Sequence, residues 1–168
     1  KKKKTKITKE LMKEKTTKIL VMRFSAFGDV AMTIPVIQEL ITQNPGVHIT
    51  FLSREKFQPL VTETSTISFY SADLEGKHKG VWGLFKLYKE LNSEKFDAVA
   101  DLHNVLRTKI LRRFFAFTNV KIAVLNKGRE ERKALIRKEN KRRKPIQPMV
   151  ERYAEVFREL GLDLELSH

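Results

Sequence analysis

The sequence predicts an α/β protein with a parallel sheet flanked by helices. Short apolar runs recur along the 168 residues, and the first of them, 18–22, shows no period-2 alternation, which is typical of a strand covered on both faces. A polar loop and then a segment with apolar residues at helical spacing follow most of these runs. Strands that alternate with helices of roughly 10–14 residues favour parallel pairing through right-handed crossovers. With 41% hydrophobic residues, the chain is expected to form one Rossmann-like domain.

The first predicted strand is 18–22, and a polar loop separates it from a helix that begins at Val30 and ends before the turn 44–46. Pro35 lies inside this helix and is expected to kink or restart it, because proline lacks the N–H that a helix interior needs. A second strand follows at 47–52. The next segment, 54–61, is a predicted short helix.

A third strand at 66–70 is weaker and leads into the polar loop 71–80. From Val81, apolar residues at helical spacing predict a helix that runs to Leu91. The fourth strand, 96–100, ends at an acidic residue and precedes a helix over 105–115.

A fifth strand is predicted at 120–125, and a final amphipathic helix at 149–160 stops at Gly161. Between them, 127–144 is dense in charge and has the character of either a mobile loop or an exposed helix. The chain therefore divides into a basic N-terminal arm, 1–17, and a domain, 18–168.

The net charge of +14 is concentrated in two segments. Nine lysines against two glutamates give +7 in residues 1–18, and ten basic against three acidic residues give +7 in 127–144. The rest of the chain is formally neutral. Such segments suit an anionic membrane surface, an acidic glycolipid or nucleic acid, and they also suit solvated tails that keep a protein soluble.

Several classes of protein and site find no support in the sequence. Without cysteine there is neither a disulfide nor a thiolate metal site, and no apolar run near the N-terminus is long enough for a signal peptide or membrane span. The dinucleotide-binding motif G-x-G-x-x-G, the phosphate-binding loop G-x-x-x-x-G-K-[ST] and the G-x-S-x-G elbow of serine hydrolases do not occur. The four histidines lack metal-ligand spacing. We therefore predict no metal site and, if Lys1 is the natural start, a cytosolic or peripheral protein.

Polar residues follow three of the predicted strands, at the edge where open parallel sheets bind ligands. After the first strand these are Arg23, Ser25, Gly28 and Asp29; after the second, Ser53, Arg54 and Lys56; and after the fourth, Asp101, His103, Asn104 and Arg107. We expect the three loops to lie along one edge of the sheet.

Two interpretations of Asp29 stay open on local pattern. It could cap the following helix, a role that contributes about 1 kcal/mol, or it could be a general base at the rim of a cleft, with Gly28 allowing close approach of a substrate. For His103, a hydrated loop residue is the common case and a catalytic residue the rarer one.

Three segments together resemble a known family. They are ILVMRFSAFGDVAMTIPVIQEL with the following FLSREKFQPLV, then FDAVADLHNVLRTKILRR, and finally ERYAEVFRELGL. The pattern R-x-S-x-x-G-D-V followed by proline, joined to D-L-H-x-x-x-R, resembles the N-terminal half of the ADP-heptose:lipopolysaccharide heptosyltransferase family, glycosyltransferase family 9. The similar segments span most of residues 18–162.

This resemblance implies the N-terminal half of a GT-B fold, in which two Rossmann-like domains face each other and the first holds the acceptor. It implies inverting, metal-independent transfer of heptose from ADP-heptose to the lipopolysaccharide inner core, without a cofactor. Asp29 occupies the position of the family's proposed base. The residues expected to bind the acceptor are Arg23, Ser25, Gly28, Arg54, Lys56, Asp101, His103 and Arg107.

The resemblance also implies a C-terminal donor-binding domain, which these residues do not include. We therefore expect the chain alone to be inactive and to leave most donor binding to that domain. The implied partner is an acidic glycolipid of the lipid A–Kdo type, at the cytoplasmic face of the inner membrane.

The competing interpretation is a non-enzymatic basic module that binds nucleic acid or an anionic membrane. Residues 1–18 and 127–144 contain no aromatic residue, which disfavours nucleic acid because single-strand binding uses aromatic stacking.

Overall fold

The computed structural model describes residues 16–136 and 147–167. Strands and helices alternate along most of this part of the chain. In order they are β1 (Thr17–Met22), α1 (Phe27–Gln43), β2 (Val47–Ser53), a 3₁₀ helix (Glu55–Leu60), β3 (Ile67–Ser71), α2 (Gly80–Asn92), β4 (Ala98–Asp101), α3 (Leu106–Phe115), β5 (Lys121–Val124), α4 (Arg129–Ile136) and α5 (Met149–Glu159).

The five strands form one parallel sheet in the order β3-β2-β1-β4-β5. The central strand, β1, places Ile19 beside Ile49 of β2 and Ala98 of β4. Strand order reverses between β1 and β4, because the chain moves outward on one side to β3 and then returns to the other side of β1. Such a reversal opens a crevice at the carboxyl ends of the strands, where doubly wound sheets bind ligands.

Helices cover both faces of the sheet, which explains the apolar character of its strands. Ile19 and Val21 of β1 join the buried cluster that contains residues of α1 and α5, whereas Leu20 and Met22 join the cluster that contains residues of α2 and α3. All four side chains are fully buried. The predicted α/β class with a Rossmann-like parallel sheet is confirmed.

The first helix differs from its prediction at its start, because it begins at Phe27, one turn before Val30. It continues through Pro35 without a restart, and a kink at Pro35 stays a prediction. Pro35 is exposed, so water can solvate the carbonyl group that the proline leaves without an amide partner. Elsewhere the predicted ends fall within about two residues of those observed, and Gly161 follows α5 with a positive φ of 89°.

The two basic segments are only partly described. Within 127–144, residues 129–136 form α4, an exposed helix without buried residues, as one of the two alternatives for this segment predicted. The remaining predicted residues, 137–144, lie outside the described part, as do 1–15 of the predicted arm, and Thr17 already belongs to β1. None of the helices in the described ranges is long and apolar enough to cross a bilayer.

Candidate functional site

The three loops with polar residues come together at the carboxyl edge of the sheet. Backbone hydrogen bonds continue the strand pairing into them: the Arg23 N–H donates to the Leu52 carbonyl group, and the Leu102 N–H donates to the Met22 carbonyl group, each at 3.1 Å. The loops after β1 and β4 are therefore neighbours at the point where strand order reverses. This edge is the candidate functional site.

Arg23 connects these two loops from within the protein. Its residue exposure is only 7%, its Nη1 donates to the Leu102 carbonyl oxygen at 2.9 Å, and its Nη2 lies 2.9 Å from Asp29 Oδ2. The Ser53 hydroxyl group donates to the Arg23 carbonyl oxygen at 2.6 Å, which adds the β2 loop to the same network. The geometry favours Arg23 as a residue that positions Asp29. Its side chain is largely buried, which leaves little of it accessible for the predicted contact with an acceptor.

Asp29 lies in the first turn of α1, where the helix dipole favours an anion. Its Oδ2 also faces the Ala26 N–H at 3.4 Å, and the Tyr153 hydroxyl group donates to its main-chain oxygen at 3.4 Å. The side chain is 36% exposed. The carboxylate is thus held in orientation on one side and accessible to a ligand on the other, so the capping interaction and a role as base are compatible.

Gly28 precedes Asp29 and borders open space. A Cβ built on Gly28 would meet no atom within 4 Å, and Gly28 is not among the glycines with positive φ. Neither the backbone conformation nor the packing of the described residues therefore requires glycine here. Ser25 is half-buried in the same loop.

Asp101 differs from Asp29 although both lie at the carboxyl edge of the sheet. Asp101 is the last residue of β4, whereas Asp29 lies in the first turn of α1, seven residues after β1. It is fully buried, and its Oδ1 accepts hydrogen bonds from the N–H groups of His103 (3.0 Å) and Asn104 (2.8 Å). Its Oδ2 lies 3.0 Å from Arg112 Nε. The side-chain amide of Asn104 donates to the Leu125 carbonyl group. This geometry favours a structural role for Asp101, which shapes the turn after β4, over the predicted contact with an acceptor.

His103 is 8% exposed and packs against the β1 loop. The Phe24 N–H donates to its Nδ1 at 3.3 Å, so the neutral ring carries its proton on Nε2. Burial and the positive charges of Arg23 and Lys127 lower the pKa of His103 to about 4, against a smaller opposing effect of Asp29. His103 is therefore neutral at physiological pH.

Two arginines at the mouth of the site share one acidic partner that the sequence did not indicate. Glu75, in the loop between β3 and α2, lies 3.4 Å from Arg54 Nη1 and 3.7 Å from Arg107 Nη2. Its side chain is 70% exposed. Lys56 is exposed, and its Nζ lies 5.0 Å from the centre of the Phe57 ring. Arg54 and Arg107 are placed to exchange a weak carboxylate partner for an anionic ligand.

Lys127 is a second residue that sequence reasoning passed over, because it was grouped with the basic segment. It lies three residues after β5, at the same edge of the sheet, and burial together with the charges of Arg129 and Arg23 lowers the pKa of Lys127. The rule that pointed to the other loops, a polar residue just after a strand, would have found it. In the described ranges, no group of three or more His, Asp or Glu side chains is arranged to hold a metal ion.

Known proteins resemble this chain in both sequence and fold. Residues 84–168 match the family model of glycosyltransferase family 9 (heptosyltransferase). The lipopolysaccharide core heptosyltransferase OpsX of Haemophilus influenzae is 27% identical over 101 residues, which are 60% of this chain and 28% of OpsX.

Two solved structures share the fold at low identity. A glycosyl transferase of family 9 from Veillonella parvula has a TM-score of 0.64 at 23% identity, covering 94% of this chain and 47% of that one. The heptosyltransferase WaaC of E. coli, solved with ADP, has a TM-score of 0.63 at 18% identity, covering 90% of this chain and 50% of WaaC. The chain thus spans about half the length of these structures.

Proposed function

Because the chain belongs to glycosyltransferase family 9, the heptosyltransferase family, we propose that it forms the acceptor-side part of a heptosyltransferase-type enzyme. The proposed reaction transfers heptose from ADP-heptose to the lipopolysaccharide inner core, with inversion at the anomeric carbon and without a metal ion. The acceptor is an acidic glycolipid of the lipid A–Kdo type at the cytoplasmic face of the inner membrane.

One observation carries this proposal: Asp29 is a partly exposed carboxylate at the switch point of the sheet, oriented by a buried arginine and next to open space. A carboxylate that orients and deprotonates a hydroxyl group is the group that this reaction requires. In the proposed step, the acceptor oxygen attacks the anomeric carbon, Asp29 takes the hydroxyl proton, and the bond to ADP breaks with the electron pair leaving on the phosphate.

The remaining residues of the site have roles in binding. Arg54 and Arg107 bind acidic groups of the acceptor through charge-assisted hydrogen bonds, and Lys56 adds positive charge at the rim. Ser25 and Gly28 border the space that the acceptor sugar occupies. Neutral His103 donates from Nε2, so it can bind an acceptor oxygen without adding charge.

A nucleic-acid-binding module is disfavoured by the aromatic rings near the arginines of α3. Stacking of successive bases would need several accessible rings, but Phe115 is buried and Phe114 packs against Phe85 and Tyr88, so that Phe117 alone of these three is exposed.

The test uses the full-length gene product with ADP-heptose and an inner-core acceptor that lacks heptose. We expect transfer, and we expect Asp29→Asn to lower kcat by about 10²–10⁴-fold because the general base is lost. Asp163→Asn removes the same charge from an exposed position after α5 and serves as the matched control. Near-normal turnover of Asp29→Asn would return this residue to its capping role.

A second measurement tests the division between acceptor and donor sides. We expect isothermal titration of ADP-heptose into the 168-residue chain to show weak binding at most. Tight binding would contradict the assignment of the donor to another part of the enzyme.

A further inference from the structure

Exposed apolar side chains are concentrated on the outer surface of α2 and α3. Of the eight large hydrophobic residues that are exposed in the described ranges, five lie on these two helices or just after them: Val81, Trp82, Phe85, Leu106 and Phe117. Trp82 is 82% exposed. Single exposed apolar residues are common, but a concentration on one surface indicates an interaction site.

These side chains share one continuous layer of the fold. Helices α2 and α3 pack side by side through Phe85 and Phe114, with ring centres 5.4 Å apart, and through Tyr88 and Phe115, with ring centres 5.0 Å apart. Both helices follow strands of a parallel sheet, so their first turns lie at the carboxyl edge, beside the candidate site. Three of the exposed apolar residues, Val81, Trp82 and Leu106, occupy those first turns.

Basic residues lie among the apolar ones on this surface. The exposed cations on and just before the two helices are Lys79, Lys86, Lys89, Lys109 and Arg113. Helix α3 contains no acidic residue, and the one acid of α2, Glu90, contacts Lys77, His78 and the Tyr70 hydroxyl group. Although burial opposes it, hydrogen bonds from Lys77, Tyr70 and His78 lower the pKa of Glu90 to about 2. Cationic and apolar side chains are therefore interspersed on this surface, as where Lys89 Nζ lies 5.9 Å from the centre of the Phe85 ring.

We propose that this surface, the α2–α3 face, docks onto an anionic lipid bilayer with Trp82 and Val81 inserted among the headgroups. Tryptophan concentrates at membrane interfaces, and lysines beside an apolar helix face bind anionic lipid. A protein partner fits this composition less well, because the cores of protein interfaces are depleted of lysine.

Docking in this orientation, which rests on the proposed function, explains why the candidate site lies beside the α2–α3 face. Arg107 lies in the first turn of α3, next to Leu106, so the docked face holds the edge of the site close to the headgroups. A glycolipid acceptor could then reach Asp29 while its acyl chains stay in the membrane. The docking itself depends only on lipid charge and apolar contact, and it is measured without donor or acceptor.

Trp82 is the only tryptophan of the chain and reports on the docked face directly. The 168-residue chain, whose sheet is covered on both faces, is titrated with vesicles of phosphatidylglycerol and phosphatidylcholine, and with phosphatidylcholine alone. We expect a blue shift of the tryptophan emission and quenching by brominated acyl chains with the anionic vesicles only. Flotation of the full-length gene product with the same vesicles checks that the complete protein docks.

Variants separate the face from the rest of the chain. Neutralising Lys86 and Lys89 together with glutamine should weaken vesicle binding about 25-fold, or roughly five-fold for each charge near anionic lipid. Val81→Ser should weaken it by roughly three-fold or more through lost apolar contact. Ile136→Ser, which changes an aliphatic residue on α4 that is more exposed than Val81, should leave binding unchanged.

Three outcomes would overturn the proposal: binding to anionic vesicles without a change in Trp82 emission, an equal response to uncharged vesicles, or a blue shift that depends on protein concentration without lipid. The first would assign binding to the basic segments, and the last would indicate a second copy of the chain. Failure of docking is distinct from failure of the proposed function, because transfer to a deacylated, water-soluble acceptor would still require Asp29 but would be insensitive to Val81→Ser.

Discussion

Asp29 and Asp101 both lie at the carboxyl edge of the sheet, one in the first turn of α1 and the other at the end of β4, yet their surroundings differ. Asp29 follows β1, is 36% exposed at its side chain, and faces open space beside Gly28. Asp101 ends β4, is fully buried, and its oxygens face two backbone N–H groups and the Arg112 guanidinium group. An acid at the carboxyl edge of a strand can therefore either shape the edge or serve a ligand, and access to solvent distinguishes the two.

The largest expected difference is in stability. Asp101→Asn removes a buried charge that pairs with Arg112 and should lower the free energy of unfolding by about 3 kcal/mol. Asp29→Asn should lower it by about 1 kcal/mol, because that pair is partly exposed. Urea unfolding of the 168-residue chain measures both. Equal losses in unfolding free energy would show that the two carboxylates stabilise the fold equally.

The pH dependence of stability sharpens the contrast around His103, which contacts both loops. Its pKa in the folded chain is about 4, against about 6.5 in an unfolded chain, so the unfolded chain takes up a proton first as the pH falls. The contribution of neutral His103 to the free energy of unfolding should be fully present above about pH 6.5 and should decline as the pH falls towards 4. The total loss should be roughly 3 kcal/mol at most.

His103→Asn removes this titration while keeping an acceptor for the Phe24 N–H. We expect the difference in unfolding free energy between pH 7 and pH 4 to be smaller in this variant than in the parent. Parallel pH profiles for the two proteins would contradict the assignment of the proton uptake to His103.

Gly28→Ala tests whether the open space beside Asp29 belongs to a ligand. Nothing in the described structure opposes a Cβ there, and alanine in a helix should stabilise the chain by about 0.5–1 kcal/mol. In the full-length gene product we expect the KM for acceptor to rise despite this gain. Unchanged kinetics would place the acceptor elsewhere.

The smallest expected effect on stability concerns Glu75 at the mouth of the site. Its exposed pairs with Arg54 and Arg107 contribute about 0.5 kcal/mol or less, so Glu75→Gln should leave unfolding almost unchanged. Releasing the two arginines should nevertheless lower the KM for an acidic acceptor. An unchanged or higher KM would indicate that they do not bind the acceptor.

Local sequence patterns predicted the fold and the positions of the site loops with few errors. Buried strands such as β1 are recognisable in the sequence as apolar runs, and their alternation with helices predicts the parallel arrangement. Strand order had to come from the structure, because the partners of β1 lie about thirty and eighty residues away and no local pattern specifies them.

The roles of individual side chains were less predictable than their positions. Arg23 and Asp101 have the residue types and spacing of ligand-binding groups, but their partners, the Leu102 carbonyl group and Arg112, become neighbours only in the folded chain. Lys127 was not singled out from the sequence, because it begins the charge-dense segment 127–144. Residue type and position after a strand indicate where a side chain starts, whereas burial and partners decide what it can reach.

The buried hydrogen bonds between the β1 and β4 loops have a consequence for the timescale of motion at this edge. The amide hydrogens of Phe24, His103 and Asn104 are all engaged by side chains, and Arg23 crosses between the two loops beneath them. Loops usually exchange their amide hydrogens faster than strands do. Here these amides should exchange as slowly as those of β1 and β4, so this part of the site is rigid before any sugar arrives, and a substrate loses little free energy in ordering it.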